Sequence, residues 1–464
     1  MEQAAHCAAE ICCGEVGMKR TSEDPNVSSA STTTQDTLPK RLDDIEVSRL
    51  RADFPILGRK VNGAPLTYLD SGATSQKPSC VYEAEQHFYE NFNSAVHRGA
   101  HSLAVEATDI FEQARTDVAG FIGAKDNEVV WTSNATEALN LIAYSFGNAS
   151  AGLGGEAARA FALGAGDEIV VTELEHHANL IPWQELALRT GATLKYIPVD
   201  ESGALRMDLA DSIITPATRV VAFTHVSNVL GTVTDVAALV ALARSVGALT
   251  VLDGCQSVPH LPVDVKALDV DFMAFSGHKM LGPTGIGGLY GRAGLLDAMP
   301  PFLTGGSMIT SVTMEKAEYL PAPMRFEAGT QRISQAHALA TAVSYLREVG
   351  MDRIAAWEEH LGARMLAGLA AMPGVRVLGP AQGAARIGTA PFVVEGVHPH
   401  DVGQFLDSRG IAVRVGHHCA QPLHRALGVV SSTRASTYLY NTTSDVDALL
   451  NAVSDVRGYF GVGK

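Results

Sequence analysis

Short stretches of this chain set chemically capable side chains side by side. Ser276-Gly277-His278-Lys279 brings a hydroxyl, an imidazole and an amine together. The hydroxyl and imidazole can hold a phosphate, and the amine can join a carbonyl as a Schiff base. In Asp253-Gly254-Cys255-Gln256 the carboxylate can pair with a cationic ring nitrogen, although a helix cap or turn explains an isolated Asp equally well. Asn134-Ala135-Thr136-Glu137 reads as a helix start, whose backbone amides form an anion site or an ordinary cap. Gly282 to Gly288 is glycine-rich. It lacks the Gly-Lys-Ser/Thr of a P-loop, and Tyr290 stands where a dinucleotide fingerprint needs its third glycine, which disfavours ATP and NAD. An amine, a carboxylate for a ring nitrogen and three phosphate-binding pieces together point to pyridoxal phosphate.

These groups act together only if the fold delivers them to one place. In open α/β sheets that place is the carboxyl edge of the strands. Strands are expected at Glu128–Thr132, Glu168–Thr172, Arg219–Thr224, Ala248–Asp253 and Asp271–Phe275, with helices at Ala135–Ser145, Ala178–Arg189 and Val236–Ser245. Such alternation predicts βαβ units on a mainly parallel sheet covered on both faces. Asn148 to Gly166, rich in Gly and Ala, reads as a surface insertion. After about residue 330 two helical patterns, Ser334–Glu348 and Asp352–Ala370, precede strands near Val375–Leu378, Ala390–Val394 and Ile411–Arg414. The expected organisation is a flexible tail over 1–48, a packing segment over 49–66, a large domain over 67–330 and a smaller α+β domain over 331–464.

Composition bounds the rest. The chain has 464 residues, 46% hydrophobic and 18% charged, enough for a sizeable core. Its net charge of −15 disfavours nucleic-acid binding. No apolar run is long enough to span a membrane; the best, Asp235 to Leu252, is broken by Asp235 and Arg244. Glu2 and Glu10 precede the first basic residue, Lys19, unlike a secretory signal, and Met18 offers an alternative start. Six cysteines are too few for a disulfide framework. Cys7, Cys12 and Cys13 have no second cluster to complete a metal site. The bulk reading is a soluble cytoplasmic protein.

Seven stretches then carry a resemblance: Tyr-Leu-Asp-Ser-Gly-Ala (68–73), Val-His-Arg-Gly-Ala-His (96–101), Glu-His-His-Ala-Asn-Leu-Ile-Pro-Trp (175–183), Thr-His-Val-Ser-Asn-Val-Leu-Gly (224–231), Ser-Gly-His-Lys-Met-Leu-Gly-Pro-Thr-Gly-Ile-Gly (276–287), Arg-Phe-Glu-Ala-Gly-Thr (325–330) and Arg-Val-Gly-His-His-Cys-Ala-Gln-Pro (414–422). From about Ala52 to Phe460, outside the Gly/Ala insertion, the chain resembles class V, fold-type I pyridoxal-phosphate enzymes, and most closely the group II, SUF-type cysteine desulfurases. The resemblance implies that Lys279 carries the cofactor, Asp253 pairs with the pyridine nitrogen, Gln256 bonds the ring hydroxyl and His176 stacks on the ring. It implies a phosphate cup of Ala135, Thr136, Ser276 and His278, completed by Thr330 from the other subunit of a homodimer. Substrate contacts fall to Asn228, Arg434, Arg414, His97 and Arg98; an arginine fork suits a carboxylate. Ala135 stands where some members have Thr, and Cys255 where a small residue such as Ala is usual; the latter reads as a buried thiol.

Cys419 follows Arg414-Val415-Gly416-His417-His418, on a loop that Pro422 keeps from starting a helix at once. Neighbouring imidazoles and Arg414 favour a thiolate there. A buried thiol or a zinc ligand with His417 and His418 fits the spacing less well. The implied activity is removal of sulfur from L-cysteine to give alanine and a persulfide on Cys419. A SufE-like or SufU-like protein would accept it for iron–sulfur cluster assembly. The rivals are a selenocysteine lyase, another class V aminotransferase or kynureninase-like lyase, and a non-catalytic scaffold.

Overall fold

The computed structural model describes residues 41–380 and 384–462, so Cys7, Cys12 and Cys13 lie outside the described residues. Seven strands make the main sheet. We number them β1 (Val129–Thr132), β2 (Glu168–Thr172), β3 (Thr193–Ile197), β4 (Thr218–Thr224), β5 (Leu249–Asp253), β6 (Phe272–Ser276) and β7 (Gly287–Gly291), in the order β1-β7-β6-β5-β4-β2-β3. From β3 to β6 every pairing is parallel, whereas β7 runs antiparallel to both β6 and β1. Segments such as Ile169-Val170-Val171 and Val220-Val221-Ala222-Phe223 are buried throughout, as a sheet covered on both faces requires. Because β1, β2, β4, β5 and β6 point the same way, their carboxyl ends share one edge. Register sets Thr224 beside Asp253 and Asp253 beside Ala274.

Strand β7 departs from expectation. Its Gly-Gly-Leu-Tyr-Gly sequence reads as the end of a loop, because glycine is a poor strand former. The reason for the glycines is close approach. A Cβ on Gly287 would stand 2.6 Å from the Phe275 carbonyl oxygen and 2.8 Å from the Asn134 Cα, and one on Gly288 would enter the Phe275 ring. Only bare backbone lets β7 fill the gap between β1 and β6 with the helix Ala135–Ser150 starting against it.

A second sheet is wholly antiparallel. Its strands are β8 (Val375–Val377), β9 (Thr389–Val394), β10 (Arg414–Gly416) and β11 (Ser432–Ser436), in the order β8-β9-β11-β10. The single strand expected over Ile411–Arg414 is two. Ile411–Ala412 pairs parallel with Thr67–Tyr68, and after Val413 the chain joins β11 instead. β11 itself, Ser-Thr-Arg-Ala-Ser, has no apolar alternation to betray it, yet all five residues are buried. The helix Ile333–Val349 packs on the helices Ser79–Asn91 and Ser102–Phe121, and the described residues form one compact unit.

The tail expected to run to residue 48 is folded from residue 41. The helix Asp44–Arg51 has a capping box of Asp43 and Glu46, buries Val47, and is tied to Thr443, whose amide and hydroxyl both donate to the Asp44 carboxylate. The following segment also meets the C-terminal part: Arg51 pairs with Asp445 at 3.0 Å and Asn62 donates to Asp407. The Gly/Ala insertion is surface chain for the most part, but Phe161 stacks on Phe146 and is buried.

Gly287→Ala tests the close-approach argument. It should destabilise the protein by about 1–3 kcal/mol, the ordinary penalty for overpacking. It should also lower cofactor content per chain, because the clash pushes Asn134 at the helix start. An unchanged melting temperature would defeat the argument.

Candidate active site

At the shared strand edge lies a cavity of about 350 Å³. Each strand delivers its chemistry in the residues just after it. Beyond β1, Asn134 caps the helix Ala135–Ser150 by accepting the Glu137 amide at 3.0 Å, and Ala135 and Thr136 line the cavity. The Ala135 amide donates to the Ser276 hydroxyl at 2.9 Å, joining two parts of the expected phosphate cup. Beyond β6 the chain makes one 3₁₀ turn, Gly277–Lys279, which puts Ser276, His278 and Lys279 on the wall. Burial, then the charges of Lys279 and Lys77, push His278 down to about 4. It is therefore neutral near pH 7.

Asp253 ends β5 and is buried on the cavity wall, its Oδ1 accepting the Cys255 amide at 2.9 Å. Gln256 Nε2 donates to the Gly72 carbonyl at 2.8 Å, while its Oε1 is buried without a partner. His176, beyond β2, accepts the Ala178 amide on Nδ1 and is pushed down to about 4 by burial and then by Lys279. Cys255 lies on the same wall, its sulfur 3.6 Å from the Ser276 hydroxyl, and burial pushes its thiol up to about 12. Cys255 is thus half-buried on the wall rather than the fully buried thiol expected, though the direction of its shift fits an unreactive one.

The second sheet closes the cavity with Arg414, His418, Cys419 and Arg434. Arg414 and Arg434 pair directly across β10 and β11. Asp70 sits between them, accepting from Arg414 at 2.6 and 3.2 Å and lying 3.6 Å from Arg434. Arg434 is buried, and desolvation brings it down to about 10.

Cys419 is exposed and also borders the cavity. His418, held against Ser432, is pushed down to about 2 by burial, then by Arg434 and His424. This imidazole is therefore not a cation beside the sulfur; the guanidiniums that line the cavity with Cys419 are those of Arg414, as expected, and Arg434. Asn228 differs as well. One proton of its amide nitrogen goes to the His418 carbonyl at 2.7 Å, which leaves the second for a carboxylate, and its Oδ1 is buried without a partner. In this geometry Asn228 pins the cysteine loop.

Three expected site residues stand apart from this cavity: Thr330, His97 and Arg98 are exposed. The two segments that carry them are linked within the chain. His97 meets Glu112 at 2.9 Å, Glu112 meets Arg115, and Arg115 binds Glu327 through two bonds of 2.6 and 2.9 Å. Two residues without an expected role emerge. Asp70 could have been found by applying the strand-end rule to Thr67-Tyr68-Leu69. Glu175 is buried under the site, accepting from Thr172 at 2.5 Å, Asn179 at 2.6 Å and the Thr224 amide at 3.0 Å. Nothing in its surface-like residue type signals burial.

The donor set fits pyridoxal phosphate. A helix start and a Ser–His pair face one end of the cavity. A buried carboxylate and an orphaned amide oxygen lie along its wall, with an amine beside them. Asp253 would hold the ring nitrogen, Gln256 the ring hydroxyl and Lys279 the carbonyl carbon.

Burial raises Glu175 from its ordinary 4.5 to about 8, with Asp253 adding to the rise. The folded chain thus keeps a proton that the unfolded chain releases in this window, so stability falls as pH climbs from 4.5 to about 8. Glu175→Gln removes that slope. Urea unfolding at about pH 5 and about pH 8 should show the variant gaining on the parent at the higher pH. A difference that stays constant across the window would refute the assignment.

Comparisons agree with this geometry. The family model described as Aminotransferase class-V matches residues 67–449. The chain is 55% identical over 419 residues to "Probable cysteine desulfurase 2" of Mycobacterium leprae (strain TN), covering 90% of this chain and 98% of that one. Among solved structures, the cysteine desulfurase CsdA (S-sulfonic acid) from Escherichia coli superposes with a TM-score of 0.80 at 39% identity, covering 89% of this chain and 98% of that one. The apo cysteine desulfurase from Thermococcus onnurineus NA1 gives a TM-score of 0.82 at 38% identity, with 90% and 98% covered.

Proposed function

The chain belongs to the class-V aminotransferase family and is a pyridoxal-phosphate-dependent cysteine desulfurase, and from that premise we propose that Cys419 takes the sulfur of L-cysteine as a persulfide. The carrying observation is that Lys279 and Cys419 border one cavity from opposite sheets, with Arg434 on the same wall.

Bound pyridoxal phosphate supplies a protonated ring that takes up the electron pair released at the substrate Cα. The chain's residues do the rest. Asp253 keeps the proton on the ring nitrogen. Arg434 holds the substrate carboxylate, its charge balanced by Asp70. The Lys279 amine removes the Cα proton. The Cys419 thiolate attacks the substrate sulfur: an S–S bond forms, the C–S bond breaks, and the electron pair stays with carbon. That carbon takes up a proton, Lys279 returns one to the Cα, and alanine leaves. Because Cys419 is exposed as well as facing the cavity, a SufE-like or SufU-like acceptor can collect the sulfur from outside for iron–sulfur cluster assembly. We place this work in the cytoplasm, in keeping with the free thiols Cys255 and Cys419 among the described residues.

We further propose a homodimer in which Thr330, His97 and Arg98 complete the partner's site. Their exposure, and the Glu112–Arg115–Glu327 network that holds both segments on one body, support this reading.

Cys419→Ser should keep cofactor content and the spectral response to L-cysteine, yet lose persulfide and alanine. Near-normal alanine production by this variant would sink the mechanism in favour of a lyase or transaminase. Thr330→Ala should release cofactor faster on dilution. A monomer that is fully active at assay concentration would refute the shared site.

A further inference from the structure

The peptide that carries Lys279 is held from outside its own strand. The carbonyl of His278, the residue before Lys279, is approached by Lys77 Nζ at 2.8 Å, Thr74 Oγ1 at 3.0 Å, the Ser75 amide at 3.1 Å and Ser75 Oγ at 3.2 Å. Ser75 Oγ also accepts the Leu281 amide at 2.9 Å, so one side chain holds the turn at His278 and the chain just beyond it at Leu281. The turn needs such a grip. It is a single 3₁₀ turn, too short to support itself, and it runs into Leu281 at a φ of 65°, a left-handed conformation that a branched residue holds only when its surroundings impose it.

We propose that Lys77 is a positioning residue for the site amine: by donating to the His278 carbonyl it fixes the peptide on which Lys279 is carried. Its ammonium has three protons and three oxygens around it, the His278 carbonyl, the Ser75 carbonyl at 2.5 Å and Thr74 Oγ1 at 3.4 Å. A charged donor bonds a carbonyl more strongly than a neutral one. The position comes at a cost, since burial pushes Lys77 down to about 8. A lysine needed only to cover apolar surface would keep its head in water. Lys77 also adds positive charge beside His278, on the wall where the phosphate would lie.

The inference rests on the reading of Lys279 as the cofactor-binding amine. The test uses full-chain holoenzyme and the variants Lys77→Met, Lys77→Arg and Thr74→Val. It measures borohydride labelling by peptide mapping, bound cofactor, kcat and KM for L-cysteine, and Tm. In Lys77→Met, labelling at Lys279 and kcat should both fall about tenfold, the scale of one charged hydrogen bond, with KM within about twofold. Lys77→Arg should restore most of both. Parental labelling in Lys77→Met overturns the proposal, and so does an arginine variant as poor as the methionine one. If Lys77→Met does not fold, Thr74→Val carries the same split at smaller size, and unchanged labelling in it overturns the proposal. A parental label on another lysine would instead overturn the functional reading.

Discussion

Two arginines face each other in register across β10 and β11, and the site depends on how that repulsion is resolved. Like charges directly opposite on a sheet destabilise the pairing, and Arg434 is buried as well. Asp70 resolves both problems. It lies after Thr67–Tyr68, which pairs with Ile411–Ala412, so the strand that brings the carboxylate also anchors the chain just before Arg414. Arg434 adds a bond from Nη1 to the Asn228 carbonyl at 2.7 Å, beyond β4 of the main sheet. One ionic cluster therefore joins three parts of the chain and leaves Arg434 charged over the cavity. A buried charge needs this degree of compensation to remain a charge.

The opposite wall follows from strand direction. Parallel strands must end on the same side, so the residues after β2, β4, β5 and β6 meet without further instruction. β1 belongs to that edge only because antiparallel β7 is inserted between it and β6, which brings the helix start at Asn134 beside Ser276. The glycines of β7 and the hydroxyl of Ser276 are thus parts of one arrangement: bare backbone allows the approach, and the Ala135–Ser276 bond holds it.

Most of this wall was legible in the sequence. Branched apolar runs that end in a polar residue gave β2, β4, β5 and β6, and with the last two Asp253, Ser276 and Lys279; His176 came from the family resemblance. What escaped notice did so for physical reasons. β7 is glycine-rich because of close approach, and β11 is polar because its hydroxyls and arginine serve the site: Ser432 takes up His418 and His424, and Ser436 binds the Gly72 amide. Asp70 stands at a short strand's end but is held by arginines far along the chain, and Glu175 is a carboxylate whose residue type does not signal burial. Asn228 was found in place, but one of its two donors turned out to hold the cysteine loop.

That last displacement bears on how the cysteine loop works. His418 and Cys419 adopt successive left-handed conformations, with φ of 49° and 55°, each costing about 1–3 kcal/mol unless the surroundings impose it. Here the surroundings do. Asn228 donates to the His418 carbonyl, and the His177 amide donates to the Cys419 carbonyl at 2.7 Å. Both clamps come from the main sheet's strand ends, and both act on backbone. The side chain of Cys419 is therefore left out of the network that positions it. The proposed nucleophile, which would collect sulfur on one side and surrender it on the other, requires that combination: a backbone fixed relative to the cavity wall, and a sulfur free to exchange its partner without disturbing the bonds that hold it there.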